Sequence, residues 1–312
     1  MNNTQINNFL KICVCSFVMF TGMTSLAQQD PHYTQYIYNM MAFNPAYAGS
    51  TGNIEASLLH RSQWAGIDGA PKTQSFNLHS PLINDKMGLG LNIVNDEIGP
   101  SSELYLNGNF SYTLQLNANM QLALGAKAGM NVINIDWTKG RYYDTNDVLL
   151  NSNINDRITA NFGAGGFLYS QHWYLGFSVP NFVKSDYYDD IQEAVLADRL
   201  HYFITGGYVF DISENLKFKP AFLTKIVSGS PLSVDVSANF LIGEIVTLGA
   251  SYRWDDSVSA IAGLNFLETF FVGYAFDYTT SSFNKYNDGS HEIILRYRPK
   301  SKSNRVKSPR FF

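Results

Sequence analysis

Charge is scarce in this chain, no apolar run is long enough for a transmembrane helix, and the only cysteines, Cys13 and Cys15, stand close to the start. Lys11 precedes an apolar run from Ile12 to Phe20, and Ser25-Leu26-Ala27 supplies small residues at the −3 and −1 positions of a cleavage site. Residues 1–27 therefore read as a secretory signal peptide. The run is about half of the roughly 20 residues a spanning helix needs, which argues against a retained anchor. Lys11 also stands where a lipid-attachment signal wants small residues. With both cysteines removed, the exported chain has no thiol for a disulfide, a thiolate metal site or a cysteine nucleophile. Asp, Glu, Lys and Arg make up 15% of the residues, against about 25% in a soluble domain. Motifs of chemistry are missing as well: there is no GxSxG elbow, HExxH, Walker A loop or dinucleotide fingerprint.

What the chain does contain is alternation. In LYLNGNFSYTL, Leu104 to Leu114, the residues Leu104, Leu106, Gly108, Phe110, Tyr112 and Leu114 share one face. Tyr105, Asn107, Asn109, Ser111 and Thr113 share the other, the period of a β-strand. The whole chain divides into fourteen such segments, near 53–64, 73–81, 87–96, 102–115, 120–135, 157–170, 172–180, 200–212, 216–227, 231–241, 245–253, 258–266, 270–278 and 290–298. Connections after even-numbered segments are tight, as at Ala118-Asn119, Ser170-Gln171 and Leu267-Glu268, whereas several after odd-numbered ones are long, at 136–156, 181–199 and 279–289. Short turns on one rim and long loops on the other describe an outer-membrane barrel with the short rim in the periplasm.

The competing fold is a soluble β-sandwich, which alternation alone does not exclude. Charge placement does the discriminating. Glu103, Lys127, Asp211, Lys217, Lys219, Lys225, Asp235, Arg253, Asp277, Glu292 and Arg296 all fall on the polar face, and a Lys or Arg at the midplane of a lipid-facing surface costs about 2–4 kcal/mol. Trp64, Trp137 and Trp254 end odd-numbered segments and Trp173 opens a hairpin on the even side, positions that suit an aromatic girdle. The fold expected is all-β: a 14-stranded antiparallel transmembrane barrel. Pro220, inside the ninth segment, predicts a bulge.

Candidate chemistry is thin. His60 shares parity with Ala56 and Leu58, His79 with Ser75 and Asn77, so the two face opposite sides of their hairpin. The six histidines are expected to be solvated rim residues. Gly163-Ala164-Gly165-Gly166 resembles a phosphate loop only until it is placed in a strand, where small residues ease close packing. The acidic stretch Asp186, Asp189, Asp190, Glu193 and Asp198 has the oxygen donors for calcium, or is simply a solvated loop. The tail from 299 to 312 carries Lys300, Lys302, Arg305, Lys307 and Arg310, suited to lipid phosphates or an acidic partner. An acidic, exported chain is a poor candidate for nucleic-acid binding.

One stretch neither alternates nor forms an amphipathic helix: QYIYNMMAFNPAYAGS, Gln35 to Ser50. Together with Asp30-Pro31, Tyr33, Gln35-Tyr36, Asn39 and Asn44-Pro45-Ala46-Tyr47-Ala48-Gly49, it resembles the N-terminal signature of the PorP/SprF family of type IX secretion proteins. The likeness continues through Arg61, Gln63-Trp64, Gly66-Ile67-Asp68-Gly69-Ala70-Pro71, Gly88-Leu89-Gly90 and Asn95-Asp96, and returns in Gly289-Ser290-His291-Glu292-Ile293. The resemblance implies an outer-membrane barrel of the type IX secretion and gliding machinery. Its implied partners are an exported adhesin or other protein with a C-terminal sorting domain, and periplasmic or outer-membrane components of the machine. No catalytic residue, cofactor or metal is implied.

Residues 28–52 are expected to form an ordered plug or periplasmic lid, fixed at Asn44-Pro45, where the proline biases Asn44 away from helix. Because this segment precedes the first strand, its start is expected on the periplasmic side. Residues 53–298 make the barrel, and the lumen is expected to be lined by Lys127, Asp235, Arg253 and Asp277. The leading functional expectation is a non-enzymatic dock or anchor for an exported protein. The alternative is a channel for polar solutes, since a barrel of this size needs water or a plug inside it.

Overall fold

In the computed structural model, which describes residues 31–82, 86–140, 153–182, 200–227 and 230–299, the alternating segments form one antiparallel sheet closed on itself. The strands are β1 (Glu55–Ser62), β2 (Lys72–Pro81), β3 (Met87–Ile98), β4 (Ser101–Asn117), β5 (Met120–Ile135), β6 (Ile154–Tyr169), β7 (Trp173–Val179) and β8 (His201–Tyr208). They continue as β9 (Phe210–Ser213), β10 (Leu216–Val227), β11 (Ser233–Ile242), β12 (Val246–Arg253), β13 (Ser257–Phe266), β14 (Phe270–Thr279) and β15 (Ser290–Tyr297). β1 pairs with β15, from Ala56 opposite Tyr297 to Ser62 opposite His291, and this seam closes the ring. β8 and β9 both pair with β10 and are two halves of one stave. The barrel therefore has fourteen staves, as the alternation predicts. The signal peptide, Asp30, the acidic stretch at 186–198 and the basic tail lie outside the described residues.

Pro220 does not produce the expected bulge. Gly207 stands opposite Ala221 and Phe210 opposite Phe218, the same register on both sides, while Pro220 itself faces Ala238 in an unbroken ladder with β11. No extra residue is inserted. The neighbouring stave is instead interrupted at Val209, beside a residue that has no N–H to donate. The register shift in this hairpin lies at Leu216 and Lys217, next to its turn.

The two faces are inverted relative to a soluble protein. Glu103, Lys127, Lys219, Lys225, Asp235, Arg253, Asp277, Glu292 and Arg296 point inward and are buried, whereas Leu58, Leu124, Phe162 and Leu248 are about half exposed on the outer wall. Asp211 and Lys217, beside a tight turn, are the departures from this rule. A continuous exposed belt of leucine and phenylalanine is tolerable only in contact with lipid.

The aromatic belt differs from the expected tryptophan girdle. Near the short-turn rim it is built by rows of packed rings, Phe210–Phe218–Phe240 and Phe266–Phe270–Tyr297, with ring centroids 4.8–6.1 Å apart. Trp64 and Trp254 line a cavity at the long-loop rim, and Trp137, like Ile154, packs on the Ile133–Ile135 cluster. A strand-end position gives a tryptophan its height in the membrane but not the side toward which it turns.

Residues 31–52 lie within the ring of staves. Three 3-10 turns, Tyr36–Tyr38, Met40–Ala42 and Pro45–Tyr47, fold this segment compactly, and Tyr36, Gln35, Asn39, Asn44 and Ala46 are 0–1% exposed. Asn44 is extended (φ −129°, ψ 106°), and its Oδ1 accepts the Ala46 N–H at 3.0 Å, so the pre-proline restriction and an Asx cap start the third turn together.

The direction of the segment corrects the expectation that it starts on the periplasmic side. Ala48 and Gly49 meet Ser111, His79 and Gly88, all close to the short-turn rim. Thr34 meets Arg61, Asp277 and Glu292, all within a few residues of the long-loop ends of their strands. The chain thus descends the lumen from the outer rim before turning into β1. Order along the sequence says where the segment joins the barrel, not which way it folds back.

Candidate functional site

The residues with chemistry gather at the outer end of the β14–β15–β1 seam. Inward-pointing positions on adjacent antiparallel strands bring Arg61, Asp277 and Glu292 together: Arg61 Nη2 is 2.7 Å from Asp277 Oδ2, and Nη1 is 3.2 Å from Glu292 Oε2. Both carboxylates also hold the N-terminal segment. Glu292 accepts the backbone N–H of Thr34 at 2.9 Å and of Gln35 at 2.7 Å, one on each oxygen. The Thr34 hydroxyl donates to Asp277 at 2.7–2.8 Å and accepts from Arg61 Nη1 at 2.9 Å. Arg61 is 2% exposed, Asp277 2% and Glu292 1%. Charged groups this deep are stable only when paired and hydrogen bonded, and the Thr34 and Gln35 N–H groups and the Thr34 hydroxyl add to that pairing.

The rest of the segment is fixed along the inner wall. Tyr36 Oη lies 2.9 Å from Ser237 Oγ, Asn44 Nδ2 donates to the Gly166 carbonyl at 3.1 Å, and Ser111 Oγ donates to the Ala48 carbonyl at 2.6 Å. Asn39 Oδ1 accepts from Asn77, the first of a row of amides in which Asn92, Asn107 and Asn161 each donate to the preceding one. Tyr38 packs tilted against Phe271 with ring centroids 4.6 Å apart, and the Arg296 guanidinium covers both rings at 4.8–5.0 Å. Close approach is possible because Gly88 and Gly125 face inward beneath Ala48 and Ala46, where a Cβ would collide with backbone. Gly90 meets the Met41 sulfur and Gly165 the Asn44 side chain; Tyr33 and Pro45 are buried, Pro31 lines the cavity at the outer rim, and Tyr47 packs edge-on against Phe167 and His79. Substituting Tyr36 by phenylalanine is expected to cost about 0.5–1.5 kcal/mol, read as a lower urea midpoint of the folded barrel.

The outer-rim loop knits into the same place. Trp64 N–H donates to Ser290 Oγ at 3.1 Å, Ala65 N–H to the Gly289 carbonyl at 2.7 Å, and Gln63 N–H to the Pro71 carbonyl at 3.0 Å. Gly66 (φ +90°) passes the Asp288 carboxylate, Asp68 is exposed, and Gly69 accepts the Gly99 N–H at 2.8 Å. The start of the 31–49 block and the blocks at 63–71 and 289–293 therefore converge on one seam. Sequence reasoning quoted Arg61 and Glu292 without assigning them a role; the available signal was a basic and an acidic residue on inward faces flanking the closing strands. Elsewhere on this rim, hydrogen bonds from Thr138 hold the Asp136 carboxyl below its usual range.

Above the clamp, a cavity of about 910 Å³ opens between the long loops, with Pro31 and His32 on its wall beside Trp64, Trp254, Asp255 and Arg253. A smaller chamber of about 80 Å³, reached by Lys127 and Asp235, shares Pro31 and His32. Of the four expected lumen charges, Arg253 is bonded to Asp235 at 2.7 Å and to Asp256 at 3.1 Å, and Asp277 belongs to the clamp.

Two histidines depart from the solvated rim positions expected. His79 and His201 are buried, and His79 Nδ1 accepts the Gly49 N–H at 3.3 Å. His60 does face away from His79, as parity requires. Among the described residues, no group of three His, Cys, Asp or Glu is placed to hold a metal.

A closed fourteen-stave barrel with a lipid-compatible exterior, tight turns on one rim and an internal segment is an outer-membrane protein. Solved structures with this architecture include the CymD monoaromatic hydrocarbon channel (11% identity, TM-score 0.50, covering 83% of this chain and 91% of that one). Omp33 of Acinetobacter baumannii (10% identity, TM-score 0.45, 79% and 98%) and a Pseudomonas aeruginosa FadL homologue (11%, 0.43, 78% and 87%) are also similar. None of the curated proteins compared matches the chain. The family model of the type IX secretion system membrane protein PorP/SprF matches residues 25–297, and the chain belongs to that family.

Proposed function

We propose that this barrel is a non-enzymatic dock of the type IX secretion machinery, which holds an exported sorting-domain protein at its long-loop face. In this reading the N-terminal segment is a plug that keeps the lumen shut. The observation that carries it is the complete burial of Gln35, Tyr36, Asn39, Asn44 and Ala46 inside the ring. A wall that hydrogen-bonds a peptide's backbone at both ends and its side chains between them is built to keep that peptide, not to pass solutes. Partners within the secretion machinery follow from the family, and the sorting-domain cargo is the finer part of the proposal.

Affinity purification of the tagged protein from native outer membrane is expected to retain an exported protein with a C-terminal sorting domain, and deletion of the gene to release that protein into the medium or strand it in the cell. Unchanged surface display of every sorting-domain protein in the deletion strain would refute the docking role. A large steady current from the wild-type barrel in planar bilayers would instead support a channel.

A further inference from the structure

We infer that the outer cavity is a binding site for an arginine side chain presented on a short peptide. Carboxylates alone would not define such a site, but two indole rings, Trp64 and Trp254, line the same space. At about 910 Å³, the cavity falls within the range of ligand pockets, roughly 300–1,000 Å³. It has room for a few residues of peptide and not for a folded domain.

Trp64 is set in place before anything binds. Its φ of +51° is a left-handed backbone that a bulky side chain rarely adopts, and such positions cluster at ligand sites. Its N–H donates to Ser290 Oγ at 3.1 Å, and its ring packs edge-on against Phe283 with centroids 5.0 Å apart. Trp254, just past the end of β12, is 64% exposed and makes no ring contact among the described residues. Asp255 follows it, also left-handed (φ +56°), exposed, and without an ion pair among the described residues.

Charge selects the ligand. The wall contributes Asp96, Glu103, Asp255 and Asp256 against the guanidinium of Arg253, which is already bonded to Asp235 and Asp256. Indole is the ring that attracts a cation most strongly. A guanidinium both stacks on an aromatic face and takes a carboxylate through two parallel N–H groups. The barrel uses the same arrangement deeper in the lumen, where Arg296 covers Tyr38 and Phe271. A neutral sugar would stack on the indoles but has no charge to set against the carboxylates. The site stands on the geometry and charge of the cavity; that the arginine belongs to an exported protein rests on the docking reading.

The full-length barrel, folded in neutral detergent, is titrated with the acetylated and amidated peptide Gly-Arg-Gly-Arg-Gly, followed by tryptophan fluorescence and calorimetry. Saturable binding is expected, weakening as salt is added. The same peptide with glutamine in place of both arginines, and the neutral sugar maltohexaose, are expected not to bind. Trp254→Leu and Asp255→Asn should each weaken binding about two- to fivefold. Glu268→Gln, which removes a carboxylate at the short-turn rim, should leave it unchanged. All three side chains are exposed, and circular dichroism checks that each variant is folded. Absence of saturable binding by the arginine peptide overturns the inference. So does equal binding of the glutamine peptide or the sugar, or wild-type affinity in folded Trp254→Leu and Asp255→Asn. No exported protein takes part in the titration, so its failure leaves the docking reading standing, and loss of the docking role in the deletion strain leaves the site standing.

Discussion

Replacing Arg61 by leucine is expected to cost about 3–5 kcal/mol of barrel stability, the penalty for leaving buried partner charges without their counter-ion. Asp277 and Glu292 would then face each other inside the wall with one cation lost from between them. The N-terminal segment would lose the guanidinium that fixes the Thr34 hydroxyl. The loss should appear as a lower urea midpoint and as protease cleavage within residues 31–52 of the folded protein. Arg61→Lys should fall between the two, because an ammonium keeps the charge but lacks the planar fork that reaches both carboxylates. The triple variant Arg61→Met, Asp277→Asn, Glu292→Gln should recover part of the stability, since it leaves no unpaired charge. If Arg61→Leu were no more damaging than Lys72→Leu at the exposed rim, the clamp would not be holding the segment.

Gly125→Val is expected to drive the segment off the wall and turn a quiet barrel into a conducting one. A side chain there would lie 2.5 Å from Ala46 Cα and from the Pro45 carbonyl carbon. These are backbone atoms that cannot swing aside as the end of a long side chain can. Overpacking of this kind costs about 1–3 kcal/mol, occasionally more. Moving the segment relieves the collision, so the expected signature is a steady planar-bilayer current with the barrel still folded. Gly108→Ala is the control: its Cβ would point to the lipid side with only the Ala128 carbonyl nearby, at 3.7 Å. A variant at Gly125 that folds, conducts no more than wild type and keeps residues 31–52 protected would show that the wall has room to yield.

The barrel itself was legible in the sequence because lipid enforces a strict rule. An outward charge is so costly that the period of two survives along nearly every strand, and stave count and inward charges such as Lys127 and Asp235 follow from it. The N-terminal segment obeys no such period. Its backbone is satisfied by Glu292, Ser111 and His79, partners on strands far away in sequence, so neither its direction nor its anchors show locally. Its composition nonetheless marked it as a unit, and Asn44-Pro45 behaves as local chemistry requires. The inward glycines of β6 were legible. Close packing there was expected against a neighbouring strand or the segment: Gly165 meets the segment, at Asn44, and Gly163 meets Pro180, just past the neighbouring strand β7. The break at Val209 could not be foreseen, because a proline acts on the strand beside it as much as on its own.

The three 3-10 turns of the N-terminal segment store length. Each of the nine residues in them advances about 2.0 Å, against about 3.3 Å when extended, so straightening all three would pay out about 12 Å of chain. A load applied from outside would first meet the bonds that hold Thr34 and Gln35 to Glu292, Asp277 and Arg61, and would draw on this slack only as Tyr36, Asn39 and Asn44 leave the wall. It would reach β1 and the β1–β15 seam last of all. The segment is therefore a mechanical fuse in series with the wall: it can be pulled several ångströms outward before the strand pairing that closes the barrel carries any force.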